Sequence, residues 1–324
     1  MSNALISYLL KMPSYGWGNK ETPACPDRNT VFREFWLNYN VFADQKNWMT
    51  FLIWTQNFLL LFFTISYFIF WFSWLHFGIA MLYTLVILPS WGTFFLHRFG
   101  THKAFSFRNR FWTHVMRNSV IKLLPAEIYV ISHHVHHKFS DKVGDPYNPA
   151  SGWWACFLAD AIHNHVNRNL EEKDYLQAQN MMAHLGVKCN DYKAYQKWGT
   201  ISSPAFVLFE YILNYAFWGT VFYLLGGWLF VFAIWGTSSL WIFSIRTFNY
   251  QAHGGGKDLR KVGRDFNTED LSLNTSLSRF FAGEWHNNHH LYPTSARSGF
   301  LWWQLDIPWY WIWILTHLGI IKVY

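Results

Sequence analysis

Two long stretches that are almost free of charged side chains dominate this sequence. No Asp, Glu, Lys or Arg occurs within residues 47–97, and the one charged residue within 203–245 is Glu210. A helix needs about 20 apolar residues to cross the hydrocarbon core of a bilayer. Each stretch is therefore long enough for two membrane-spanning helices, and we expect turns near residues 71–74 and at Gly226-Gly227.

Composition indicates a membrane protein that also keeps much of its length in water. The chain has 324 residues, of which 52% are hydrophobic and 21% aromatic, and it contains 21 Trp. Tryptophan is enriched at bilayer interfaces, whereas a mean hydropathy of only +0.02 requires long polar segments. We therefore expect an all-α integral membrane fold, with four transmembrane helices in two hairpins and a cytosolic helical cap.

The distribution of basic residues predicts how the hairpins are oriented. All 26 Lys and Arg residues lie in segments 1–46, 98–197 and 246–324. Because basic residues concentrate in cytoplasmic loops, both termini and the central segment are expected in the cytoplasm. The predicted units are an N-terminal cytosolic or interfacial segment at 1–46, a hairpin at 47–97, a first part of the cap at 98–202, a second hairpin at 203–245, and a second part of the cap at 246–324.

The apolar stretch at 299–321 could form a fifth span, but Asp306 and Pro308 interrupt it. We favour an interfacial or buried helix, because the basic C-terminal end can then share one side of the membrane with the preceding histidine motif. The amphipathic segment 30–43 is also expected to lie against the membrane.

Nine histidines occur in three short motifs outside the charge-free stretches or at their ends. These motifs read HRFGTH at 97–102, HHVHH at 133–137 and HNNHH at 286–290. Residues three and four apart share one face of a helix, so each HxxHH array can direct three rings to one place. Neutral imidazole is a common ligand of iron, copper and zinc, and these motifs therefore indicate a metal centre.

His253 extends this set, because it lies near the end of the second charge-free stretch and follows Asn249 by four residues. Nine imidazoles exceed what one ion can use, so two ions are the simplest interpretation. The candidate ligands are His97, His102, His133, His136, His137, His253, His286, His289 and His290.

The remaining histidines are expected to have other roles. His134 breaks the helical period of its motif and is interpreted as a neighbour of the ligands. His163 and His165 form an HNH sequence that could bind metal, but a surface role is favoured. Isolated histidines are interpreted as packed or interfacial residues; these are His76, His114, His184 and His317.

Three acidic residues lie close in sequence to the candidate ligands, namely Asp141, Asp145 and Glu284. Imidazoles that bind metal usually donate their other N–H to a carboxylate or a carbonyl. These carboxylates are therefore candidates for orienting the ligands, with solvent exposure or a turn at Asp145-Pro146 as the alternative.

The order of the motifs around two predicted hairpins resembles the integral-membrane fatty acid desaturases over about residues 50–320. The resemblance is closest to the Δ9 acyl-CoA and acyl-lipid desaturases. It rests on HHKFS at 136–140 with Asp145-Pro146, NYQAH at 249–253, HNNHHLYPTSAR at 286–297 and WWQLD at 302–306. The chain departs from the pattern at His134, where most Δ9 members have Arg, at the shortened segment before His286, and at Gly254–Gly256.

The resemblance implies a specific chemistry. Family members hold two iron ions with nine histidines, and an Asn at the position of Asn249 places a water near one ion. They use O2 and two external electrons to remove two hydrogens from a saturated acyl chain, forming a cis double bond that in the closest group is at Δ9. The acyl group can be carried by CoA, by a carrier protein or by a lipid.

The physical requirements agree with this implication. Methylene C–H bonds offer no acidic or electrophilic group, so the oxidant must come from a redox metal and O2, and zinc has no redox chemistry. The sequence shows no haem, iron–sulfur or dinucleotide motif, so an external donor such as cytochrome b5 or ferredoxin is expected to supply electrons. Membrane lipids are the other expected partners, and no nucleic acid is expected.

Other outcomes remain open at the level of sequence. The same metals and fold could support hydroxylation, or oxidative decarboxylation of a fatty acid to a terminal alkene. A multipass metal transporter is a less favoured alternative, because it would need polar ligands along its spans, and these spans contain few.

Overall fold

The computed structural model describes residues 3–258, 272–274 and 283–324, so part of the predicted second half of the cap lies outside the described residues. It is mostly helical. The first helices are α1 (Asn3–Ile6), α2 (Arg28–Tyr39), α3 (Gln45–Trp71), α4 (Trp74–Thr101), α5 (Arg110–Arg117), α6 (Ala126–Phe139), α7 (Trp153–Phe157) and α8 (Ala159–Ile162). They are followed by α9 (Glu172–Met182), α10 (Tyr192–Trp198), α11 (Pro204–Ile245), α12 (Phe248–Ala252), α13 (His286–Leu291) and α14 (Ile307–His317). Strands β1 (Phe105–Phe107) and β2 (Ile321–Val323) pair antiparallel.

Three of these helices, α3, α4 and α11, are long and apolar enough to cross a membrane. The break between α3 and α4 lies at Phe72 and Ser73, which have extended backbone angles, within the expected segment 71–74. Each of these helices carries exposed apolar side chains, such as Phe62, Leu82 and Leu224, as expected where lipid is the solvent. The predicted mostly helical fold with long apolar helices is therefore confirmed, whereas the four spans and the cytosolic cap stay predictions.

Helix α11 is broken at the two glycines that mark the expected turn. Gly226 and Gly227 have non-helical backbone angles, and Gly227 has a φ of 65°, which favours glycine. Beyond the break, Phe222 contacts Phe230 and Tyr215 contacts Trp235 through their rings. Because these pairs are nearly symmetric about the glycines, the two halves of α11 pack against each other as an antiparallel hairpin.

Several surface helices have a short polar side chain that caps their first turn. Asp27 accepts a hydrogen bond from the Thr30 amide at the start of α2, and Asn109 accepts one from Trp112 at the start of α5. Such caps satisfy amides that have no partner within a helix. The C-terminal helix α14 has only 11 residues, or about 16 Å at 1.5 Å per residue, and is too short to span a membrane.

Candidate metal centre

His97 and His102 lie at the end of α4, where the helix is π-helical from Gly92 to Thr101. The amide of His102 donates to the carbonyl of His97 at 3.0 Å, which is the five-residue hydrogen bond of a π-helix. This winding stacks residues five apart on one face, and the two ring centroids are 4.9 Å apart. The π-turn is thus the physical reason that an HxxxxH spacing brings both rings together.

The second and third motifs lie on α6 and α13, and the helical period divides each of them between two groups of rings. On α6, His133 and His137 belong to one group and His136 to the other. On α13 the assignment is reversed: His286 and His290 belong to the group of His136, and His289 belongs to the group of His133 and His137. Each helix therefore supplies an i, i+4 pair to one group and the residue between them to the other.

The two groups contain all nine candidate ligands. Within each group the nearest ring nitrogens lie within 4.8 Å of one another, and most of the rings are buried. The first group consists of His97, His102, His133, His137 and His289, and the second of His136, His253, His286 and His290. Each group could hold one metal ion.

Four Nε2 atoms of the first group form a closed ring of short contacts. The distances are 2.9 Å from His97 to His289, 2.9 Å from His289 to His137, 3.0 Å from His137 to His133 and 2.7 Å from His133 back to His97. Half the diagonal of a square with such edges is about 2 Å, which is the usual length of a metal–imidazole bond. The ring therefore has the dimensions of a coordination site.

Two carboxylates contact Nδ1 of rings in the second group, the ring nitrogen on the side away from the group's centre. Asp145 lies 2.8 Å from Nδ1 of His136, and Asp141 lies 3.1 Å from Nδ1 of His253. A carboxylate that accepts a hydrogen bond from Nδ1–H keeps the proton on Nδ1 and leaves the lone pair on Nε2 for a metal. Asp141 has a φ of 61°, an uncommon value for a residue other than glycine, and Asp145 accepts a hydrogen bond from its amide at 2.9 Å.

Glu284 connects the two groups. Its Oε2 lies 3.1 Å from Nδ1 of His97 in the first group, and its Oε1 lies 3.7 Å from Nδ1 of His286 in the second. Burial raises the pKa of the Glu284 carboxyl to about 8, although the nearby Arg98 guanidinium acts in the opposite direction. A cation held among the imidazoles would also favour the ionised carboxylate.

Burial keeps the rings of the first group in the form that binds metal. Burial, together with the neighbouring basic side chains, lowers the pKa of His102, His133, His137 and His289 well below its ordinary value. These imidazoles are therefore neutral at neutral pH. In addition, the buried Nε2 atoms of His102 and His136, one in each group, have no hydrogen-bond partner among the residues that the structure describes. Buried polar atoms are usually satisfied, so both atoms fit an ion as the missing partner.

A largely apolar cavity of about 190 Å³ opens onto both groups. His133 of the first group and His286 of the second line it, together with Glu284 and Asn249. The rest of its wall comes mainly from α4, from α11, from the chain between α5 and α6, and from α7 and α8. A chain of methylene groups could therefore lie in this cavity beside both metal sites.

The family of the chain follows from comparison with known proteins. The model of a family described as fatty acid desaturase matches residues 72–313. The chain belongs to this family. The expected resemblance is thereby confirmed, and the three histidine motifs and His253 all lie within the matched region.

The names of individual relatives in the desaturase family give different double-bond positions and different carriers of the acyl group. The chain is 30% identical to an acyl-CoA C20 Δ5-desaturase of Anemone leveillei, over 59% of this chain and 55% of the relative. It is 31% identical to an sn-1 stearoyl-lipid 9-desaturase of Synechocystis, over 59% and 52% of the two chains. It is also 31% identical to a Δ9 desaturase-like 2 protein of Arabidopsis thaliana, over 70% of each chain. The matches to the first two span only about half of those relatives.

The expected surface role of His163 and His165 is wrong. Their side chains are buried, with exposed fractions of 3% and 5%. His163 hydrogen-bonds Tyr15 through Nε2 and the carbonyl of Pro146 through Nδ1, while Nε2 of His165 lies 2.8 Å from the hydroxyl of Thr50. These partners explain the burial, because they satisfy the ring nitrogens within the protein. Neither ring belongs to a metal group of the described residues, and His134 does not either.

A buried ion pair beside the first motif was missed by the sequence reasoning. Arg98 follows His97 and contacts the Asp306 carboxylate at 2.9 Å, and the two side chains are at most 2% exposed. Arg98 also donates to the carbonyl of Ala296 and to the hydroxyl of Ser298. Burial opposes ionisation of Asp306, but Arg98 and backbone amides hold its pKa below the ordinary value. The charge of Asp306 within an apolar stretch was the available signal.

We expect Asp306→Ala to destabilise the fold by about 3–5 kcal/mol, because removal of one partner leaves the other charge buried and unpaired. Thermal unfolding in detergent would measure this effect. Asp44→Ala is the matched control, since Asp44 pairs with Arg168 at 2.9 Å but its side chain is 43% exposed. The control should cost no more than about 1 kcal/mol. Equal losses in the two variants would contradict the importance of burial.

Proposed function

We propose that this protein is a di-iron, O2-dependent desaturase that introduces a cis double bond, at Δ9, into a saturated acyl chain. The observation that carries the proposal is the apolar cavity that His133 and His286 line from the two different metal groups. An apolar cavity accepts a hydrocarbon chain, and two imidazole groups at its wall provide ligands for two ions beside one part of that chain.

The nine histidines are proposed to bind the two irons, and Asn249 is proposed to position a water beside one of them. Asn249 supports this role because it lines the cavity and precedes His253 by four residues on α12. The carboxylates of Asp141 and Asp145 would hold Nδ1–H of His253 and His136, and Glu284 would place its negative charge beside Nδ1 of His97 and His286. They thereby keep each Nε2 lone pair directed toward the metal.

The protein residues would orient the chain and exclude water, and bound metals would supply the oxidant. When bound, two iron ions with O2 would provide the redox chemistry that no side chain offers. The overall reaction converts CH2–CH2, O2, two electrons and two protons into CH=CH and two water molecules. The apolar wall would hold one pair of methylene groups against the metal site and would exclude water from it.

We also propose that the chain crosses the membrane four times, with the metal centre and both termini in the cytoplasm. The two halves of α11, at 204–225 and 228–245, each approach the roughly 20-residue length of a single span. With α3 and α4 they would make two hairpins. The exposed Trp302 and the exposed aromatic residues of α14 are suited to the bilayer interface.

The electrons are proposed to come from a separate acidic protein such as a cytochrome b5 or a ferredoxin. Lys103 and Lys138 are exposed and directly follow His102 and His137 in sequence. Basic side chains at this position would attract an acidic partner and increase its rate of association.

Gas chromatography of lipids from cells that express the protein tests the proposed reaction. We expect a new internal double bond in chains of unchanged length, with its position given by mass spectrometry of derivatised products. A volatile alkene one carbon shorter, or a hydroxylated chain, would contradict desaturation. A His286→Ala variant expressed at the same level is the control, because it removes a proposed ligand and should yield no product.

A further inference from the structure

The chain between α5 and α6 packs inside the bundle of long helices. Residues 118–125 are not helical, yet Val120 and Ile121 are only 3% and 1% exposed. They belong to the same buried apolar cluster as Leu60 of α3, Leu88 of α4 and Ile234 of α11. This chain segment was expected in the cytosolic cap, but its contacts are those of the membrane-spanning helices.

Two contacts show how far the segment reaches along the long helices. Nε1 of Trp218 donates to the carbonyl of Asn118 at 3.0 Å, and Trp218 lies fourteen residues after Pro204, the start of α11. The Tyr83 hydroxyl accepts from the Ile121 amide at 3.2 Å. Trp218 thus lies roughly 20 Å along α11 from Pro204, at 1.5 Å per residue, and Tyr83 lies fourteen residues before His97 on α4. Trp218 lies between the exposed Leu213 and Tyr223 of α11, so the segment reaches the part of the bundle whose apolar side chains face the surroundings.

Polar side chains of the long helices satisfy the backbone of this segment. Asn214 accepts from the Lys122 amide at 2.9 Å and donates to the Val120 carbonyl at 2.9 Å. Gln56 and Tyr215 both donate to the Lys122 carbonyl, at 3.0 and 3.1 Å. Non-helical backbone is tolerated at membrane depth only where protein satisfies its polar groups. These intramembrane polar residues therefore have a structural purpose, which is to hold an inserted loop.

The charge of Lys122 is also neutralised within the bundle. Its Nζ lies 3.6 Å from Glu210, the one charged residue of α11, and Glu210 also pairs with Arg117. Charged residues inside membrane segments usually pair with one another. The isolated acid in the second charge-free stretch is thereby explained.

The same loop forms part of the cavity wall far from the metal groups. Ile121 and Leu123 line the cavity beside Leu88 of α4 and Ile242 of α11. Leu88 lies nine residues before His97 on α4, or roughly two helical turns away. The neighbouring Val120 is equally buried but does not line the cavity.

We propose that residues 118–124 form a re-entrant loop that closes the membrane end of the cavity, so that Ile121 sets the length of acyl chain beyond the metal centre. This inference rests on the proposed function for the nature of the chain. The loop contributes a side chain to the end wall, and Asn214 with Tyr83 fixes its depth. A larger side chain at position 121 shortens the cavity, and a smaller one lengthens it.

Binding measurements with a series of saturated acyl chains test this proposal without requiring turnover. The protein in detergent is titrated with chains of increasing length that share one head group, and thermal stabilisation gives the apparent affinity for each. We expect Ile121→Trp to move the best-bound length to shorter chains and Ile121→Ala or Leu123→Ala to longer ones. The affinity ratio between chains that differ by one methylene should change by about 10-fold or more.

Val120→Ala is the matched control, because it shortens a buried side chain of the same loop outside the cavity. Its length preference should equal that of the unaltered protein. An unchanged preference in Ile121→Trp, Ile121→Ala and Leu123→Ala would overturn the proposal, even if the unaltered protein makes a double bond. A shifted preference in a protein that makes no double bond would instead support the loop and contradict only the proposed reaction.

Discussion

Replacing His289 by alanine is expected to lower turnover by more than about 100-fold. Mutation of residues that only hydrogen-bond to metal ligands typically lowers metal affinity or activity by about 10- to 100-fold, so the loss of a ligand should have a larger effect. His289 contributes to the Nε2 ring of the first group, with contacts of 2.9 Å to both His97 and His137. The loss should therefore fall mainly on one ion. Iron per chain, measured by mass spectrometry of the purified protein, should fall from about two toward one while the protein still inserts into the membrane.

His134→Ala is the matched control for this experiment. His134 lies within the same HHVHH motif as His133 and His136, but its ring belongs to neither metal group. The control should retain its iron and most of its activity. If His289→Ala kept full activity, or if both variants lost iron equally, the proposed division of ligands would be refuted.

Glu284→Gln is expected to weaken the binding of both metal ions at once. Glu284 is 2% exposed and lies between Nδ1 of His97 and Nδ1 of His286, which belong to different groups. Glutamine preserves the shape but removes the negative charge that stabilises metal-bound imidazoles. We expect the affinity for iron to fall by about 10- to 100-fold in each group. Competition with a chelator would measure this loss, and activity should fall with it.

Glu127→Gln controls for the removal of a buried acid. Glu127 is 1% exposed and accepts hydrogen bonds from the amides of Ile201 and Ser202, at 2.9 and 2.6 Å. It contacts no candidate ligand in the described part of the chain. The control should lower thermal stability without changing the affinity for iron. Iron retention by Glu284→Gln equal to that of Glu127→Gln would count against a bridging role.

Much of the membrane architecture could be predicted because its cause is local in sequence. A charged side chain is costly in hydrocarbon wherever it occurs along a span, so the charge-free stretches mark the long helices directly. The breaks at Phe72-Ser73 and at Gly226-Gly227 lie where turn residues and aromatic residues indicated them. The loop at 118–124 could not be predicted in the same way. Its insertion depends on Asn214 and Tyr83, which are distant in sequence.

The candidate ligands could be identified by spacing, but their distribution could not. Helical periodicity groups His133 with both His136 and His137, and the structure separates them. The division depends on how α6 and α13 pack, because each helix directs its intermediate histidine to the other group. The π-helical end of α4 was not predicted either, since no local rule distinguishes it from an α-helical end.

Long-range pairing accounts for the errors and omissions. His163 is buried because Tyr15, 148 residues away in sequence, hydrogen-bonds its ring. Arg98 is buried because Asp306, 208 residues away, balances its charge. The local sequence around His163 predicted an exposed side chain, and the local sequence around Arg98 gave no sign of burial. Their burial became favourable only when the chain supplied a distant partner.

The sequence by itself determined that this chain enters a membrane and carries histidines suited to metals, since hydrophobicity and helical spacing depend only on residues that are close in sequence. Only the tertiary structure decided that nine rings form two groups, that Glu284 lies between them, and that an apolar cavity meets both. These features require contacts between segments more than a hundred residues apart, and such contacts exist only after the helices have packed.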